Sequence, residues 1–172
     1  TLDGGPWTSY GGDPENFKKA FFRIQERFSL KGISNEDVWW VFAPNGWNDR
    51  ALPQHAFENY YPGDNTIDFL AFSAFNFGYC WKAYQRNSQG WYEYDSVYKP
   101  YIDRFSIMAP SKPVIISQTG VTAEDMGVIK HSIMKNDWLK RSYRWLSYQT
   151  SILGVIYFDI CLLYTSPSPR DS

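Results

Sequence analysis

Four short apolar segments, separated by helical and loop patterns, restrict the fold of this chain more than any other feature. They lie at residues 38–43, 67–75, 114–116 and 154–158. Continuous apolar runs of this length are typical of strands that are buried on both faces, as in parallel sheets. Because helical patterns lie between them, the sequence predicts parallel βαβ units and the α/β class.

The first helix has signals at both of its ends. Asp13, Pro14 and Glu15 form a typical helix start, with an acidic N-cap, proline at the first helical position and an acid in the first turn. Apolar residues then recur at helical spacing as far as Phe28, and Gly32 is a candidate C-terminal cap.

Two further helices are predicted, over residues 99–109 and 136–148. Pro100 would stand in the first turn of the earlier one. Trp138 and Trp145 are seven positions apart, so they share one face of the later helix and are expected in the core.

Four residues in or near the first two strands are expected to have structural roles. Trp39 and Trp40 would point to opposite faces of a strand, and both are expected in the core. Asp64 follows a Pro-Gly pair and is expected to close a turn on its own backbone. Asp68, at the amino end of a strand, is expected to form a structural bridge rather than to act in catalysis.

Long loops rich in aromatic and polar residues follow the first two strands. The carboxyl end of the strands is where a parallel barrel keeps its sites, so these loops favour a barrel. No Gly-rich phosphate loop occurs, which makes a nucleotide-binding, doubly wound sheet the weaker alternative.

Charge and composition exclude several classes of function. Lys and Arg number 17 against 18 Asp and Glu, a balance that argues against a nucleic-acid partner. No apolar run approaches the roughly 18 residues of a membrane span. Cys80, Cys161 and His131 have no partners at disulfide-framework or metal-ligand spacing, so no metal and no cofactor is expected. Aromatic residues make up 19% of the chain, which suits stacking on sugar rings.

Several segments together resemble glycoside hydrolase family 26, which is best known for β-mannanases. The resemblance covers about residues 3–160 and rests on segments 3–7, 14–17, 38–44, 60–64, 67–72 and 112–120, which read DGGPW, PENF, VWWVFAP, YYPGD, IDFLAF and KPVIISQTG. It implies a partial (β/α)8 TIM barrel, from about strand 4 to strand 8. It also implies a polysaccharide or oligosaccharide partner of the β-mannan type.

The chain is expected to have two regions, and the resemblance implies a location as well. Residues 1–161 would form the partial barrel, and residues 162–172 a Ser/Pro tail that is either artefactual or disordered. Because a whole barrel has about 250 residues, we expect the chain to be a truncated one. Family members are secreted, although no signal peptide is visible from Thr1 onward.

Retaining glycosidases need two carboxylates about 5 Å apart, one to protonate the leaving oxygen and one to attack the anomeric carbon. By the resemblance, Gln118 occupies the position of the nucleophile, and its amide is not competent there. The acid/base glutamate should fall at about Thr1 or Leu2, and neither can donate the proton. Phe75 replaces a tyrosine that supports the nucleophile in some family members.

Candidate sugar-binding residues lie in or beside the loops that follow strands. They are Trp7, Trp47, Phe75, Asn76 and Trp81. For the tryptophans the alternative is a structural role in which the indole holds its loop against the barrel.

Three explanations of Gln118 stay open: a natural pseudoenzyme, an engineered trap and a sequence error. The functional hypotheses are a catalytically incomplete family 26-like domain, a carbohydrate-binding or structural pseudoenzyme, and a fragment without independent function.

Overall fold

The computed structural model describes residues 12–44, 56–76, 91–121 and 131–158, the first four of the last range by their backbone alone. The helices and strands in chain order are α1 (Pro14–Ser29), β1 (Val41–Phe42), β2 (Phe69–Asn76), α2 (Tyr94–Met108), β3 (Val114–Val121), α3 (His131–Leu146) and β4 (Ile152–Tyr157). Two short 3-10 helices, Phe57–Tyr60 and Asp64–Thr66, lie between β1 and β2.

The four strands form one parallel sheet in the order β1-β2-β3-β4. The predicted α/β class, with parallel strands and intervening helices, is confirmed. Consecutive strands of a (β/α)8 barrel follow this sequential order, whereas a doubly wound sheet reverses direction at a switch point. The described part of the chain therefore has the topology of a partial barrel.

Helix α1 begins and ends as its sequence predicts. The Asp13 carboxylate accepts a hydrogen bond from the Asn16 backbone N–H at 3.1 Å. Beyond the last helical residue, Gly32 has a φ of 78°. The backbone N–H of Gly32 bonds to the Ser29 carbonyl, and that of Ile33 bonds to the Phe28 carbonyl. These paired bonds form a Schellman motif, in which glycine adopts the left-handed conformation at little cost.

Aromatic side chains pack the helices against one face of the sheet. The Phe17 ring of α1 lies 6.4 Å from that of Phe42 on β1, and Tyr101 of α2 stacks on Phe72 of β2 at 5.2 Å. Phe105, also on α2, meets Phe72 edge-on at 5.9 Å. The largest fully buried side chains of the described residues lie in this layer: Trp138, Tyr60, Tyr98, Phe57, Phe72 and Phe105.

The first strand differs from its prediction. The structure assigns only two residues to β1, and Trp39 and Val41 are 73% and 39% exposed. Both the two-sided burial of this segment and the core position of Trp39 were wrong, because β1 is an edge of the described sheet and the helices cover one face alone. Trp40 is packed as predicted, with its ring 5.1 Å from Phe28 and 5.7 Å from Phe21.

The observed bounds of α2 and β3 also differ from the predicted ones. Helix α2 begins at Tyr94, so Pro100 lies inside the helix rather than in its first turn. An interior proline costs about 3 kcal/mol, and burial of Val97 and Tyr98 in the preceding turn offsets that cost. Strand β3 runs on to Val121, so Gln118 is inside the strand and not in the loop beyond it.

Side-chain roles expected from the sequence are largely observed. Trp138 is fully buried, and Trp145 packs partly buried against the core. The Asp68 carboxylate accepts the Trp40 backbone N–H at 2.7 Å and so bridges β2 to the segment before β1. Asp64 instead accepts a hydrogen bond from the Tyr61 hydroxyl at 2.9 Å.

A search of the described residues for a helix with the length and hydropathy needed to cross a membrane finds none.

Candidate functional site

An irregularity in β3 determines which face Gln118 occupies. Phe72 of β2 pairs with Ile116, but the next residue, Ser73, pairs with Gln118, so Ser117 is an additional residue in β3. Such bulges redirect side chains and occur often beside active sites. The Ser117 hydroxyl donates a hydrogen bond to the Phe72 carbonyl at 3.1 Å.

The bulge places Gln118 on the face of the sheet that the helices leave open. Its side chain is exposed, whereas Ile116 and Thr119 on either side of the bulge are almost fully buried against the helix layer. Thr119 is anchored there by the Tyr98 hydroxyl, 2.8 Å from its own. The neutral amide of Gln118 can both donate and accept hydrogen bonds, but it cannot supply a carboxylate nucleophile.

Phe75 lies near Gln118 on the same open face. It is two residues beyond Ser73, the partner of Gln118, and residues two apart in a strand share a face. Its own partner is Gly120, where an added Cβ would stand 3.4 Å from the Phe75 ring and 3.2 Å from the Phe158 carbonyl oxygen. A glycine at this position therefore lets the Phe75 ring approach β3 closely.

Asn76, the last residue of β2, is directed into the helix layer. It is 1% exposed, and its amide nitrogen donates to the Tyr92 carbonyl at 2.7 Å. The Trp138 indole N–H donates to the same carbonyl at 2.9 Å. Asn76 thus joins the end of β2 to the segment before α2. The sugar contact predicted for Asn76 stays a prediction, and it would need this amide to leave Tyr92.

The remaining predicted positions fall in other stretches of the chain. Trp7, Trp47 and Trp81 lie outside the described residues, as do Thr1 and Leu2 at the expected acid/base position. Among the predicted site residues, the structure therefore brings Gln118 and Phe75 together and separates Asn76 from them.

The strand residues around Gln118 offer no substitute for a catalytic carboxylate. The four described strands, at 41–42, 69–76, 114–121 and 152–157, contain no Asp or Glu. Within the described ranges, no cluster of three or more His, Cys, Asp or Glu could hold a metal ion. The arrangement can bind a polar ligand by hydrogen bonds and an aromatic contact, and the described strands supply no general acid.

Sequence reasoning missed the buried hydroxyl pair beneath the site. Burial raises the pKa of Tyr98 to about 12, so its hydroxyl keeps its proton well into the alkaline range. Tyr98 belongs to no motif, and although Thr119 lies in the segment 112–120, only the helix-to-strand packing brings the two together.

Comparison with known proteins gives structural matches only. The chain is similar to the GH26-CBM35 β-(1,4)-mannanase of Podospora anserina, with a TM-score of 0.49 and 17% identity over 92% of this chain. It is similar to the GH26 domain of a Prevotella bryantii endo-β-mannanase/endo-β-glucanase, with a TM-score of 0.49 and 18% identity over 95%. Two of the matched proteins are thus GH26 enzymes.

A third match is the β-mannanase from a symbiotic protist of the termite Reticulitermes speratus, with a TM-score of 0.47 and 16% identity over 92% of this chain. The chain spans 26%, 39% and 36% of the length of these three structures, in the order given. No protein-family model and no curated protein matches the chain.

Proposed function

We propose that residues 1–161 form part of a glycoside hydrolase family 26-like domain that is directed at a polysaccharide but cannot carry out retaining hydrolysis. The observation that carries this proposal is the position of Gln118. It is exposed on the open face of β3, displaced by a bulge, at the place where the sequence resemblance puts the nucleophile.

The chemistry of an amide explains the predicted inactivity. In retaining hydrolysis a carboxylate oxygen attacks the anomeric carbon while the glycosidic oxygen leaves with a proton from a second carboxyl group. The Gln118 amide carries no negative charge and is a far weaker nucleophile. The residues at the expected acid/base position, Thr1 and Leu2, cannot donate that proton.

The proposed ligand is a β-mannan-type polysaccharide or an oligosaccharide derived from it. Phe75 would contribute an aromatic surface beside Gln118, and we extend the binding surface to Trp7, Trp47 and Trp81. The amide of Gln118 would hydrogen-bond a sugar hydroxyl. A secreted location is part of the proposal and rests on the same family resemblance.

Restoring the carboxylate tests this assignment. An aryl β-mannoside with a strongly acidic phenol releases its leaving group without a proton donor, so Gln118→Glu alone should suffice for the first step. The new carboxylate oxygen bonds to the anomeric carbon, the bond to the aryl oxygen breaks, and a phenolate departs. We expect a burst of phenolate close to one equivalent and a glycosyl adduct on residue 118 by mass spectrometry. Gln149→Glu is the matched control and should give neither.

Two outcomes would contradict the proposal. Hydrolysis of mannan by the unaltered chain would show that another carboxylate acts. If Gln118→Glu folds and binds manno-oligosaccharides but gives no burst, Gln118 does not occupy the nucleophile position.

A second candidate is a carbohydrate-binding pseudoenzyme, which the exposed amide of Gln118 beside Phe75 favours. Calorimetry with mannan, glucan and xylan oligosaccharides would then show saturable binding that weakens in Trp47→Ala. Flat titrations with all three sugars would argue against this role.

A further inference from the structure

A cavity of about 120 Å³ lies at the end of the sheet opposite to Gln118, between the C-terminal end of α1 and the start of β2. Its walls include Phe28, Asn35, Trp40 and Asp68. Asp68 precedes β2, whereas Gln118 and Phe75 lie towards the carboxyl ends of their strands. The cavity is therefore separate from the candidate sugar site.

Two hydrogen-bond acceptors contribute to the polar part of this cavity, which also contains amide and hydroxyl groups. One Asp68 oxygen, Oδ2, accepts the Trp40 backbone N–H at 2.7 Å, and no donor among the described residues bonds the other oxygen, Oδ1. The Gln25 side-chain nitrogen donates to the Thr66 carbonyl at 2.9 Å. One of the two amide N–H groups of Gln25 makes that bond, and the amide oxygen is a further acceptor. Gln25 and Asp68 both line the cavity.

The charge and the apolar walls favour a small cation. Asp68 is the only charged residue among those that line the cavity. The end of α1 adds a partial negative charge from the helix dipole. The Phe28 and Trp40 rings, 5.1 Å apart, form a corner against which a short aliphatic stem could pack or a cation could lie.

We propose that this cavity binds a primary ammonium group on a short aliphatic stem. An ammonium has three donors on one atom, which suits separate acceptors such as Asp68 Oδ1 and the Gln25 oxygen. A guanidinium prefers both oxygens of a carboxylate, and here Trp40 already occupies Oδ2. An anion would meet the Asp68 carboxylate with no cationic side chain to offset it.

Calorimetric titration of the purified chain with n-propylammonium chloride, in a buffer without primary amines, tests the proposal. Propylguanidinium and 1-propanol are the comparison ligands. We expect saturable binding of the ammonium that weakens with added salt, and weaker binding of both comparison ligands. Asp68→Asn keeps an oxygen for the Trp40 N–H but loses the charge, and it should weaken ammonium binding about tenfold.

Two other variants complete the test. Asn35→Asp adds a second carboxylate at an exposed position on the cavity wall and should tighten ammonium binding, so the proposal does not depend on the fold of Asp68→Asn alone. Asp103→Asn, on α2 and paired with Lys99, should leave binding unchanged.

Four results would overturn the proposal. They are the absence of saturable ammonium binding, equal binding of 1-propanol, tighter binding of propylguanidinium, and an affinity that neither Asp68→Asn nor Asn35→Asp alters. None of these results depends on the sugar chemistry proposed for Gln118.

Discussion

The hydroxyl oxygens of Tyr98 and Thr119 lie 2.8 Å apart, and each residue is 1% exposed. This contact joins α2 to β3 one residue beyond Gln118. The Tyr98 ring also meets the Trp138 ring of α3 edge-on at 5.9 Å, so Tyr98 links two helices to the strand that carries the candidate site. The two residues are thus a structural support for the position of Gln118.

Removing one member of this buried pair should destabilise the fold. We expect Tyr98→Phe to lower the free energy of unfolding by about 1–3 kcal/mol, because Thr119 loses its partner without gaining water. Urea unfolding of Tyr98→Phe, Thr119→Val and the double variant measures the coupling, and the double variant should lose less than the sum of the two single changes. Tyr148→Phe, at a side chain that is 75% exposed, is the control. Strict additivity would show that the contact contributes nothing.

Stability should also fall at alkaline pH. Burial raises the pKa of Tyr98 to about 12, above the value near 10 of an unfolded chain. The folded state therefore holds this proton more tightly, so the contribution is complete below pH 10 and is lost between pH 10 and 12. A shift of this size corresponds to about 2–3 kcal/mol.

Urea unfolding between pH 8 and 11.5 checks this dependence. Burial also raises the pKa of Tyr101, which adds a decline of the same sign. The decline above pH 10 should therefore be smaller, but not absent, in Tyr98→Phe. Identical pH profiles for the two proteins would contradict the role of Tyr98.

Two strand glycines should respond differently to alanine. A Cβ at Gly120 would lie 3.2 Å from the Phe158 carbonyl oxygen and 3.4 Å from the Phe75 ring, whereas Gly154 has nothing within 4 Å. We expect Gly120→Ala to cost about 1–3 kcal/mol by overpacking and Gly154→Ala to be neutral or slightly stabilising. Thermal melts of both variants make the comparison, and equal effects would argue against the close approach of Phe75 to β3.

The ion pair of Arg104 with Glu58 should contribute more to stability than an exposed pair does. Two bonds of 2.6 Å join the guanidinium to the carboxylate, and the Arg104 side chain is 7% exposed with its charge 3.6 Å from the centre of the Phe57 ring. Glu58→Gln removes the carboxylate charge from this bidentate contact with a buried cation, and we expect a loss of about 2–3 kcal/mol.

Asp103→Asn provides the matched control for that ion pair. Its partner is Lys99, and both side chains are more than half exposed, so the change should stay within about 0.5 kcal/mol. Chemical denaturation of the two variants side by side measures the difference. An equal loss in both would mean that burial of Arg104 adds nothing to the pair.

Much of the fold could be predicted because its signals are local. The cap at Asp13, the glycine after α1 and the apolar runs of β2 and β4 depend on neighbouring residues, and all four strands were located in the correct order. Neither the exposure of Trp39 nor the start of α2 could be predicted. The first depends on which strand is at the edge of the sheet, and the second on whether packing compensates for an interior proline.

The candidate site divides in the same way. The sequence by itself determined that an amide stands at position 118, because this is a fact of residue type, whereas the structure excluded Asp68 from β2 and so left the four strands without an acid. Only the tertiary structure decided that the additional residue Ser117 puts Gln118 on the open face. It also decided that the Asn76 side chain donates a hydrogen bond to the Tyr92 carbonyl. Those outcomes depend on strand register and on helix packing, which arise from contacts between residues distant in the chain.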